Sequence, residues 1–502
     1  MKRAFVKGIV IIIGIILQVW FTLSLTMNIA ENITAVNYAF LIMSVLIILG
    51  IIKNSMSLSK DLPWIIIVLL FPLAGTIMYI IIGRNWHKSK VVKSLMINIE
   101  KSKKYLEQDE TITKEINEKN EDKLKYISEF AGFPITKNNK VDYYEVGEKA
   151  YPVMLDELKK AKKFIFMEYF IIAKGKMWNG ILDILKEKVK EGVEVRVMYD
   201  DMGCFTSLPG GYPQELEKLG IKCVCFNKMK PFADVIMNNR DHRKIMVIDG
   251  KVAFSGGINL ADEYINEDKR LGHWKDNGIR VKGDAVWNFT VMFLQIWNSF
   301  KAEDDDFTKY KFESKREYGE DGYVVAYGES PLDNEIVGEN VYLNIMNQAK
   351  KYLYIFTPYL IIDTDMINSL KLAAKRGVDV RICVPGIPDK RIVYSLTNSY
   401  FEQLVKEGVK IYKYTPGFVH SKVFVSDDCV ATVGTLNMDY RSLYLHFENG
   451  IYLQDNSIIK EIAKDLRDTI SKSHEVTLAE AKAKNIFVEL YHSLLRVFAP
   501  LM

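Results

Sequence analysis

An internal repeat constrains the fold of this chain more than any other feature of its sequence. Residues 146–148 (Val-Gly-Glu) return as residues 337–339, and residues 161–163 (Ala-Lys-Lys) return as residues 349–351. Further matches keep the same order and a separation of about 185 to 190 residues, which is typical of a duplicated domain. Apolar runs of strand length alternate with amphipathic helical patterns in both copies. The sequence therefore predicts an α/β fold with two similar lobes.

Each copy of the repeat contains the same polar motif, H-x-K-x4-D followed by x6-G-(G or T)-x-N. The motif residues are His242, Lys244, Asp249 and Asn259 in the first copy, and His420, Lys422, Asp427 and Asn437 in the second. One H-x-K element would be weak evidence, because it is short. Two copies of the full pattern within a duplicated chain are a strong indication of a shared chemical role.

The spacing within the motif predicts its local geometry. Residues two apart on a strand point to one face, so His242 and Lys244 project together. Asp249-Gly250 is a hairpin signal, and a two-residue turn there would pair Lys244 with about Ser255 and return Asn259 beside the imidazole. The second copy repeats this arrangement. The aspartates of both motifs fall at the turns, so we expect them to have a structural role.

A further match between the copies supplies a candidate carboxylate for each histidine. Asp276 and Glu448 each begin an acid-Asn-Gly-Ile sequence, 34 residues after His242 and 28 residues after His420, respectively. An acid that accepts a hydrogen bond from an imidazole fixes its tautomer and stabilises the imidazolium. The alternative is that the two acids are surface charges at strand edges.

Two histidines, two lysines and two asparagines are suited to phosphoryl chemistry. Neutral imidazole is a nucleophile and a proton carrier, and Lys and Asn are donors for phosphoryl oxygens. One histidine could form a phosphohistidine while the other carries the proton, provided that both hairpins meet in one pocket. Zinc binding by His242 and His420 is disfavoured, since the usual ligand spacing is missing. His273 and His446 have no counterpart in the repeat, so we expect packing or surface positions for them.

Three long apolar runs precede the repeat, at residues 8–30, 32–52 and 62–83. A bilayer core of ~30 Å needs ~20 apolar residues in a helix, so each run is long enough to span it. Buried helices of a soluble domain and, for the first run, a cleaved signal peptide are the alternatives. We predict N-terminal transmembrane helices within residues 1–84. Basic residues between 84 and 93 favour a cytoplasmic location for the following domain, although two prolines make the third run a candidate for a re-entrant segment.

The rest of the chain divides into three segments. Residues 85–140 form a Lys- and Glu-rich stretch without a continuous apolar face, which indicates a charged, solvated helical linker. Residues 141–318 and 319–502 hold the two lobes, and apolar residues at helical spacing from 487 to 498 predict an amphipathic C-terminal helix, lying on the membrane surface or on the core. A net charge of +4 is too small to indicate nucleic-acid binding, and five cysteines do not make a disulfide framework.

The duplicated motif resembles the signature of the phospholipase D superfamily, and the chain is similar within it to the bacterial cardiolipin synthase family. The segments that carry this resemblance are residues 242–244, 255–259, 434–442 and 447–448, the hydrophobic hairpin at 72–84 and the apolar tail at 498–501. The resemblance covers the chain from about residue 33 to its end. The first apolar run is a departure, because family members with two N-terminal helices lack it.

The resemblance implies two phospholipase D-like lobes, related by a pseudo-twofold axis, with the active site between them. It also implies transfer of a phosphatidyl group from one phosphatidylglycerol to another, giving cardiolipin and glycerol through a phosphohistidine intermediate. By analogy, His242 is the nucleophile, and His420 is the general acid and then the general base. The groups that would hold the phosphate are Lys244, Lys422, Asn259 and Asn437.

No metal, no nucleotide cofactor and no nucleic-acid partner are implied by the resemblance. It implies a multi-pass protein of the bacterial cell membrane whose substrate is phosphatidylglycerol in the bilayer, and it leaves a homo-oligomer open. A phospholipase D-type hydrolase or another phosphatidyltransferase would use the same two histidines. A non-catalytic membrane scaffold is an alternative of a different class.

Overall fold

A computed structural model describes most of the chain and divides it into two compact units. The described residues are 31–55, 57–80, 90–119, 121–228, 239–313, 318–482 and 485–501. The first unit comprises the described residues of 1–89, 228–238 and 493–502, and the second unit comprises those of 90–227 and 239–492.

Helices make up the described part of the first unit near the N-terminus. Their bounds are Glu31–Asn54, Leu58–Leu70 and Pro72–Met78. The side-chain hydroxyl of Ser44, on the first helix, donates a hydrogen bond to the carbonyl oxygen of Pro72 at 3.1 Å. This bond ties the first helix to the start of the third.

The predicted transmembrane helices are not seen in the part of the chain that the structure describes. No helix among these residues combines the length and the apolar character needed to cross a bilayer. The predicted run at 8–30 lies outside the described residues. The run at 62–83 is divided at Phe71, whose backbone leaves the helical region (φ −128°, ψ 73°), because the ring of Pro72 disfavours helical geometry in the preceding residue. The described part of the third run therefore forms two helices rather than one.

The second unit contains both copies of the repeat, and the first copy forms lobe 1. The described strands of lobe 1 are β1 (Thr136–Tyr144), β2 (Phe164–Tyr169), β3 (Glu194–Asp200), β4 (Lys222–Phe226), β5 (Arg240–Asp241), β6 (Lys244–Ile248), β7 (Val252–Gly256), β8 (His273–Lys275) and β9 (Gly278–Gly283). Their order in the main sheet is β4-β3-β2-β6-β7-β9-β1. The strands β2, β3 and β4 are parallel, and β6, β7, β9 and β1 continue the sheet in antiparallel fashion.

The second copy of the repeat forms lobe 2 with the same strand order. Its described strands are β10 (Glu320–Glu329), β11 (Tyr352–Phe356), β12 (Leu360–Ile361), β13 (Asp379–Pro385), β14 (Lys410–Tyr414), β15 (Gly417–Val419), β16 (Val423–Ser426), β17 (Val430–Gly434), β18 (Met438–Asp439), β19 (His446–Gln454) and β20 (His474–Glu475). The order is β14-β13-β11-β16-β17-β19-β10, with β20 added at the edge. Antiparallel pairing of β1 with β10 joins the two lobes into one sheet, as a pseudo-twofold arrangement requires. The predicted duplicated α/β fold is confirmed.

Helices cover this sheet on both lobes. The longer helices of the second unit are Lys90–Ser102, Glu110–Lys119, Gly147–Lys159, Lys176–Lys190, Val286–Phe300, Val337–Gln348, Thr364–Lys375, Arg391–Ser399 and Ile459–Ile470, and Ile486–Phe498 begins in it. The shorter helices and turns are Lys103–Tyr105, Asp122–Lys125, Tyr126–Phe130, Tyr212–Lys218, Asp262–Ile265, Thr308–Tyr310, Phe401–Val405, Tyr440–Tyr444, Leu478–Ala481 and Ala499–Leu501. Val286–Phe300 is buried along most of its length, and its Phe293 stacks on Phe166 of β2 with ring centroids 4.7 Å apart.

The described part of the expected linker at 85–140 is largely helical, and some of its apolar side chains are buried rather than solvated. Leu95, Ile116 and Leu124 are each at most 3% exposed, and β1 already begins at Thr136. The apolar residues of this stretch form no continuous stripe in the sequence. These three are nevertheless buried, because the larger body of the lobes supplies the opposing surface. Lobe 1 therefore starts a few residues before the predicted boundary at 141.

The hairpin in the first motif has a longer connection than predicted. Ile248 pairs with Val252, and the N–H of Lys251 donates to the carbonyl oxygen of Ile248 at 2.9 Å. Asp249 and Gly250 both have a positive φ (55° and 66°), as the centre of a type I′ turn requires. Lys251 is an extra residue between the turn and β7, so the register is shifted by one from the prediction.

Candidate active site

The backbone of each motif histidine is held by the opposite lobe. His242 follows β5, and its N–H donates to the carbonyl oxygen of Phe447 at 2.9 Å. His420 follows β15, and its N–H donates to the carbonyl oxygen of Lys275 at 2.8 Å. The cause is strand pairing between the lobes, since β5 is parallel to the start of β19 and β15 is parallel to β8.

The side chains of the two histidines are also paired across the lobes. The Nδ1 atom of His242 lies 2.8 Å from Glu448 Oε2, and the Nδ1 atom of His420 lies 2.6 Å from Asp276 Oδ2. Both carboxylates are fully buried. The sequence identified the two acids, but it suggested that each one serves the histidine of its own copy. The structure exchanges them, so that each imidazole depends on the other lobe.

Both carboxylates are ionised in this arrangement. Burial alone would raise the pKa of Glu448, but its electrostatic interaction with the His242 ring and the hydrogen bond from that ring outweigh burial and hold the pKa well below its usual range. Burial opposes ionisation of Asp276 in the same way, and His420 and Lys422 together keep its pKa lowered. The hydroxyl of Thr435 adds a hydrogen bond to Glu448 at 2.5 Å.

The imidazoles are neutral in the structure without substrate. Burial lowers the pKa of His242 to about 3 and that of His420 to about 4, although the nearby carboxylates raise both. An ionised carboxylate can only accept, so we assign the ring proton to Nδ1 in each case. The Nε2 atom of each ring then carries the free lone pair.

The motif lysines lie beside their histidines and share one electrostatic environment. Lys244 Nζ donates to the carbonyl oxygen of His242 at 2.6 Å, and Lys422 Nζ donates to that of His420. Burial lowers the pKa of Lys244 to about 7 and that of Lys422 to about 8. The charges of Glu448 and Asp276 act on both ammonium groups. The histidines, lysines and carboxylates of both lobes therefore form one buried cluster.

The asparagines of the two motifs are not equivalent. Asn259 Oδ1 accepts from the N–H of Ile171 at 3.0 Å, and its Nδ2 donates to the hydroxyl of Tyr264 at 2.7 Å. Asn437 is 7% exposed, and its Oδ1 has no hydrogen-bond partner among the described residues. Most of the hydrogen-bonding capacity of Asn259 is thus used within lobe 1, whereas Asn437 retains an unused group.

The motif aspartates hold the turns of their hairpins. Asp249 accepts hydrogen bonds from the backbone N–H groups of residues 162–164 at 2.7–2.9 Å. Asp427 accepts from those of residues 350–352 at 2.8–2.9 Å. Each carboxylate thereby fastens a turn to the start of the neighbouring strand, at the end of the hairpin opposite the histidine.

A third histidine, His446, lies in the cluster, although we expected a packing or surface position for it. His446 is two residues before Glu448 on β19, so both side chains point to the same face. Its ring is 5.7 Å from that of His242, and its Nδ1 is 3.6 Å from Glu448 Oε1. The equivalent residue of lobe 1 is Trp274, whose ring is 5.3 Å from that of His420. The spacing to Glu448 was the signal in the sequence that could have found His446.

The three groups His242, His446 and Glu448 are also close enough to hold a metal ion. One potential ligand atom from each of them lies within 4.8 Å of the others.

Comparison with known proteins gives consistent matches across both lobes. A family model described as cardiolipin synthase, phospholipase D-like domain, matches residues 154–297 and 342–470. An uncharacterized protein of Streptococcus mutans is 44% identical over 91% of this chain and 99% of its own length. A cardiolipin synthase of Alkalihalophilus pseudofirmus is 35% identical over 88% of this chain and 89% of its own length. The crystal structure of a phosphatidylserine synthase of Haemophilus influenzae shares the fold, with a TM-score of 0.54 at 15% identity over 72% of this chain and 93% of that one.

Proposed function

The chain belongs to the cardiolipin synthase family of phospholipase D-like proteins, and on this premise we propose that it transfers a phosphatidyl group from one phosphatidylglycerol to another, giving cardiolipin and glycerol. The observation that carries the proposal is the pair of buried imidazoles, each bonded to an ionised carboxylate of the opposite lobe. A phosphatidyl transfer in two steps needs one nucleophile and one proton carrier, and this cluster supplies both.

In the first step, the lone pair on Nε2 of His242 attacks phosphorus while the bond from phosphorus to the glycerol oxygen breaks. The leaving alkoxide takes a proton from His420. The negative charge of the bound phosphodiester favours this protonated form, and Asp276 stabilises it. Glu448 stabilises the positive charge that develops on His242, since it lies 2.8 Å from Nδ1.

In the second step, the primary hydroxyl of another phosphatidylglycerol attacks phosphorus and gives its proton to His420. The bond from phosphorus to Nε2 of His242 breaks, which restores the neutral imidazole. Lys244 and Lys422 supply positive charge to the phosphoryl oxygens in both steps. Asn437 is better placed than Asn259 to contact the substrate, because its carboxamide oxygen has no partner among the described residues.

We place the enzyme at the bacterial cell membrane, with the two lobes on the cytoplasmic side and its lipid substrate drawn from the bilayer. The apolar runs of the sequence support this location. The helix Ile486–Phe498 adds support, because Ile486, Phe487 and Leu490 are 59%, 78% and 60% exposed. An exposed apolar stripe on a helix is typical of a segment that lies in the membrane interface.

Product analysis tests the proposed activity. The purified protein is incubated in liposomes with phosphatidylglycerol that is labelled in its glycerol headgroup and its acyl chains. We expect cardiolipin and free glycerol in equal amounts. Phosphatidic acid as the sole lipid product would show a hydrolase instead.

Substitution of the histidines tests whether the cluster performs this chemistry. We expect His242→Ala and His420→Ala to abolish turnover. His474→Ala is the matched control, because this histidine is half exposed and bonded to Glu480. Unchanged lipid turnover in the first two variants would leave only a non-catalytic role for the cluster.

A further inference from the structure

The environment of His446 is unusual for a buried imidazole. The residue is 8% exposed. Its Nδ1 faces Glu448 Oε1 at 3.6 Å, which is longer than a normal hydrogen bond, and its Nε2 has no hydrogen-bond partner among the described residues. Burying a polar ring whose hydrogen-bonding capacity is not used is unfavourable. Lobe 1 has Trp274 at the equivalent position. The chain thus keeps a polar ring where its own duplicate has an indole, and this points to a ligand for the ring.

The groups around this ring form a ligand set for a transition metal. Glu448 Oε2 is 2.8 Å from the Nδ1 of His242, and Glu448 Oε1 is 3.6 Å from the Nδ1 of His446. Zinc binds nitrogen and oxygen ligands at ~2.0–2.2 Å in a tetrahedron, so neighbouring ligand atoms lie about 3.4 Å apart. One potential ligand atom of each residue already lies within 4.8 Å of the other two. Two imidazoles and one carboxylate are also a common set of protein ligands for zinc.

We propose that His242, His446 and Glu448 form a binding site for Zn²⁺ or a similar transition-metal ion, and that its occupation switches the enzyme off. The inhibitory part rests on the proposed function, whereas the binding site itself does not.

Inhibition follows from the tautomer of His242. The metal takes the lone pair of Nδ1, so the ring proton must reside on Nε2. That nitrogen then has no lone pair with which to attack phosphorus. Glu448, coordinated to the same ion, no longer accepts the Nδ1 proton that keeps the ring in its reactive form.

The residues of the two lobes also allow a prediction of how many ions bind and of which kind. His420 and Asp276 have Trp274 beside them instead of a third ligand, so lobe 1 cannot complete an equivalent site, and we expect one ion per chain. Magnesium prefers six oxygen ligands in an octahedron and keeps much of its water. It therefore does not compete at this site.

Metal binding is tested directly on the full-length protein in detergent, without substrate. Zinc is titrated in competition with a chromophoric chelator, and Co²⁺ reports the geometry through its visible absorption. We expect one site per chain with a tetrahedral Co²⁺ spectrum. The variants His446→Asn and His446→Trp should bind zinc at least tenfold more weakly. The second variant copies lobe 1, and the first covers the case in which the larger ring disturbs folding. His474→Asn, which alters an exposed histidine next to Glu480, should bind zinc as the unaltered protein does.

Inhibition is measured with each variant compared with its own rate in the absence of zinc. We expect zinc to inhibit the unaltered enzyme, a chelator to reverse this, and the His446 variants to need at least tenfold more zinc. The proposed binding site would be refuted if the unaltered protein and both His446 variants bound zinc equally well, or if none of them bound it. Binding without inhibition of an active enzyme would overturn the switch. A protein without transferase activity would contradict the proposed function, while the binding experiment would still decide the site.

Discussion

The exchange of carboxylates between the lobes makes a prediction that pairing within each lobe does not. Replacing Glu448 by Gln should impair the reactions of His242 in lobe 1. Replacing Asp276 by Asn should impair those of His420 in lobe 2. Both changes keep a hydrogen-bond acceptor and remove the negative charge, so each isolates the electrostatic contribution of one acid.

The magnitude follows from the distance between the charges. In the proposed mechanism, the ring of His242 becomes positive as it attacks phosphorus, and its Nδ1 lies 2.8 Å from a Glu448 oxygen. Unit charges about 4 Å apart at an effective dielectric constant near 20 interact by about 4 kcal/mol. Since about 1.4 kcal/mol corresponds to a factor of ten in rate, Glu448→Gln should slow phosphohistidine formation about a thousandfold.

A substrate with an activated leaving group separates the two roles. The p-nitrophenyl ester of phosphatidic acid releases p-nitrophenolate, which needs no proton from His420. Rapid mixing then reports phosphohistidine formation as a burst of absorbance. We expect the burst rate of Asp276→Asn to stay within about tenfold of the unaltered enzyme, and that of Glu448→Gln to fall about a thousandfold. With phosphatidylglycerol, both variants should be slow.

The control is Glu339→Gln, which alters a buried carboxylate of lobe 2 that bonds to neither histidine. Its burst should be unchanged. Peptide mapping of the trapped intermediate identifies the phosphorylated histidine. The reasoning is refuted if the phosphoryl group is on His242 and yet Asp276→Asn, rather than Glu448→Gln, loses the burst.

Three further predictions concern stability, pH and metals. Asp249→Asn and Asp427→Asn should each lower the free energy of unfolding by about 1.5–3 kcal/mol, which is the range for hydrogen bonds to a charged group. Urea denaturation measures this loss. The turnover rate per folded molecule should stay the same. Burial and the nearby charge of Asp363 raise the pKa of Glu339 from 4.5 to about 8. Between these pH values the folded state therefore holds a proton that the unfolded state has lost. Stability should therefore fall with rising pH in this window by up to about 1.4 kcal/mol per unit, and Glu339→Gln should flatten the profile in urea titrations at pH 6 and 9. Chelators should leave the turnover of phosphatidylglycerol intact, and a loss of activity in EDTA that Zn²⁺ or Mg²⁺ restores would contradict the mechanism.

Much of the fold could be predicted because it is written twice in the sequence. The recurring strands and the repeated H-x-K-x4-D motif predicted two similar α/β lobes. The structure confirms them and shows the same strand order in both. The turn residues Asp249 and Gly250 identified the hairpin. The extra residue Lys251 was missed, since its position depends on how the turn joins β7.

The exchange of Asp276 and Glu448 could not be predicted from spacing. It depends on β5 pairing with β19 and β15 pairing with β8, contacts between residues about 140 to 210 positions apart. Comparison of the two copies also selected as candidate site residues only those that recur in both. His446 has no counterpart in the first copy, so it was not selected. The helices within 90–125 were predicted, but the burial of Leu95, Ile116 and Leu124 was missed for a related reason, because the surface that covers them lies in distant parts of the chain.

The antiparallel pairing of β1 with β10 makes a single continuous sheet out of two similar lobes, and the proposed reaction centre is built from residues of both lobes. Neither lobe can complete the site alone, because the carboxylate that pairs with each motif histidine belongs to the other lobe. Selection therefore acts on the two lobes together, because a substitution in one lobe alters the histidine chemistry of the other. The outer surfaces of the two lobes are free to diverge, but the residues that pair across the lobes must change together.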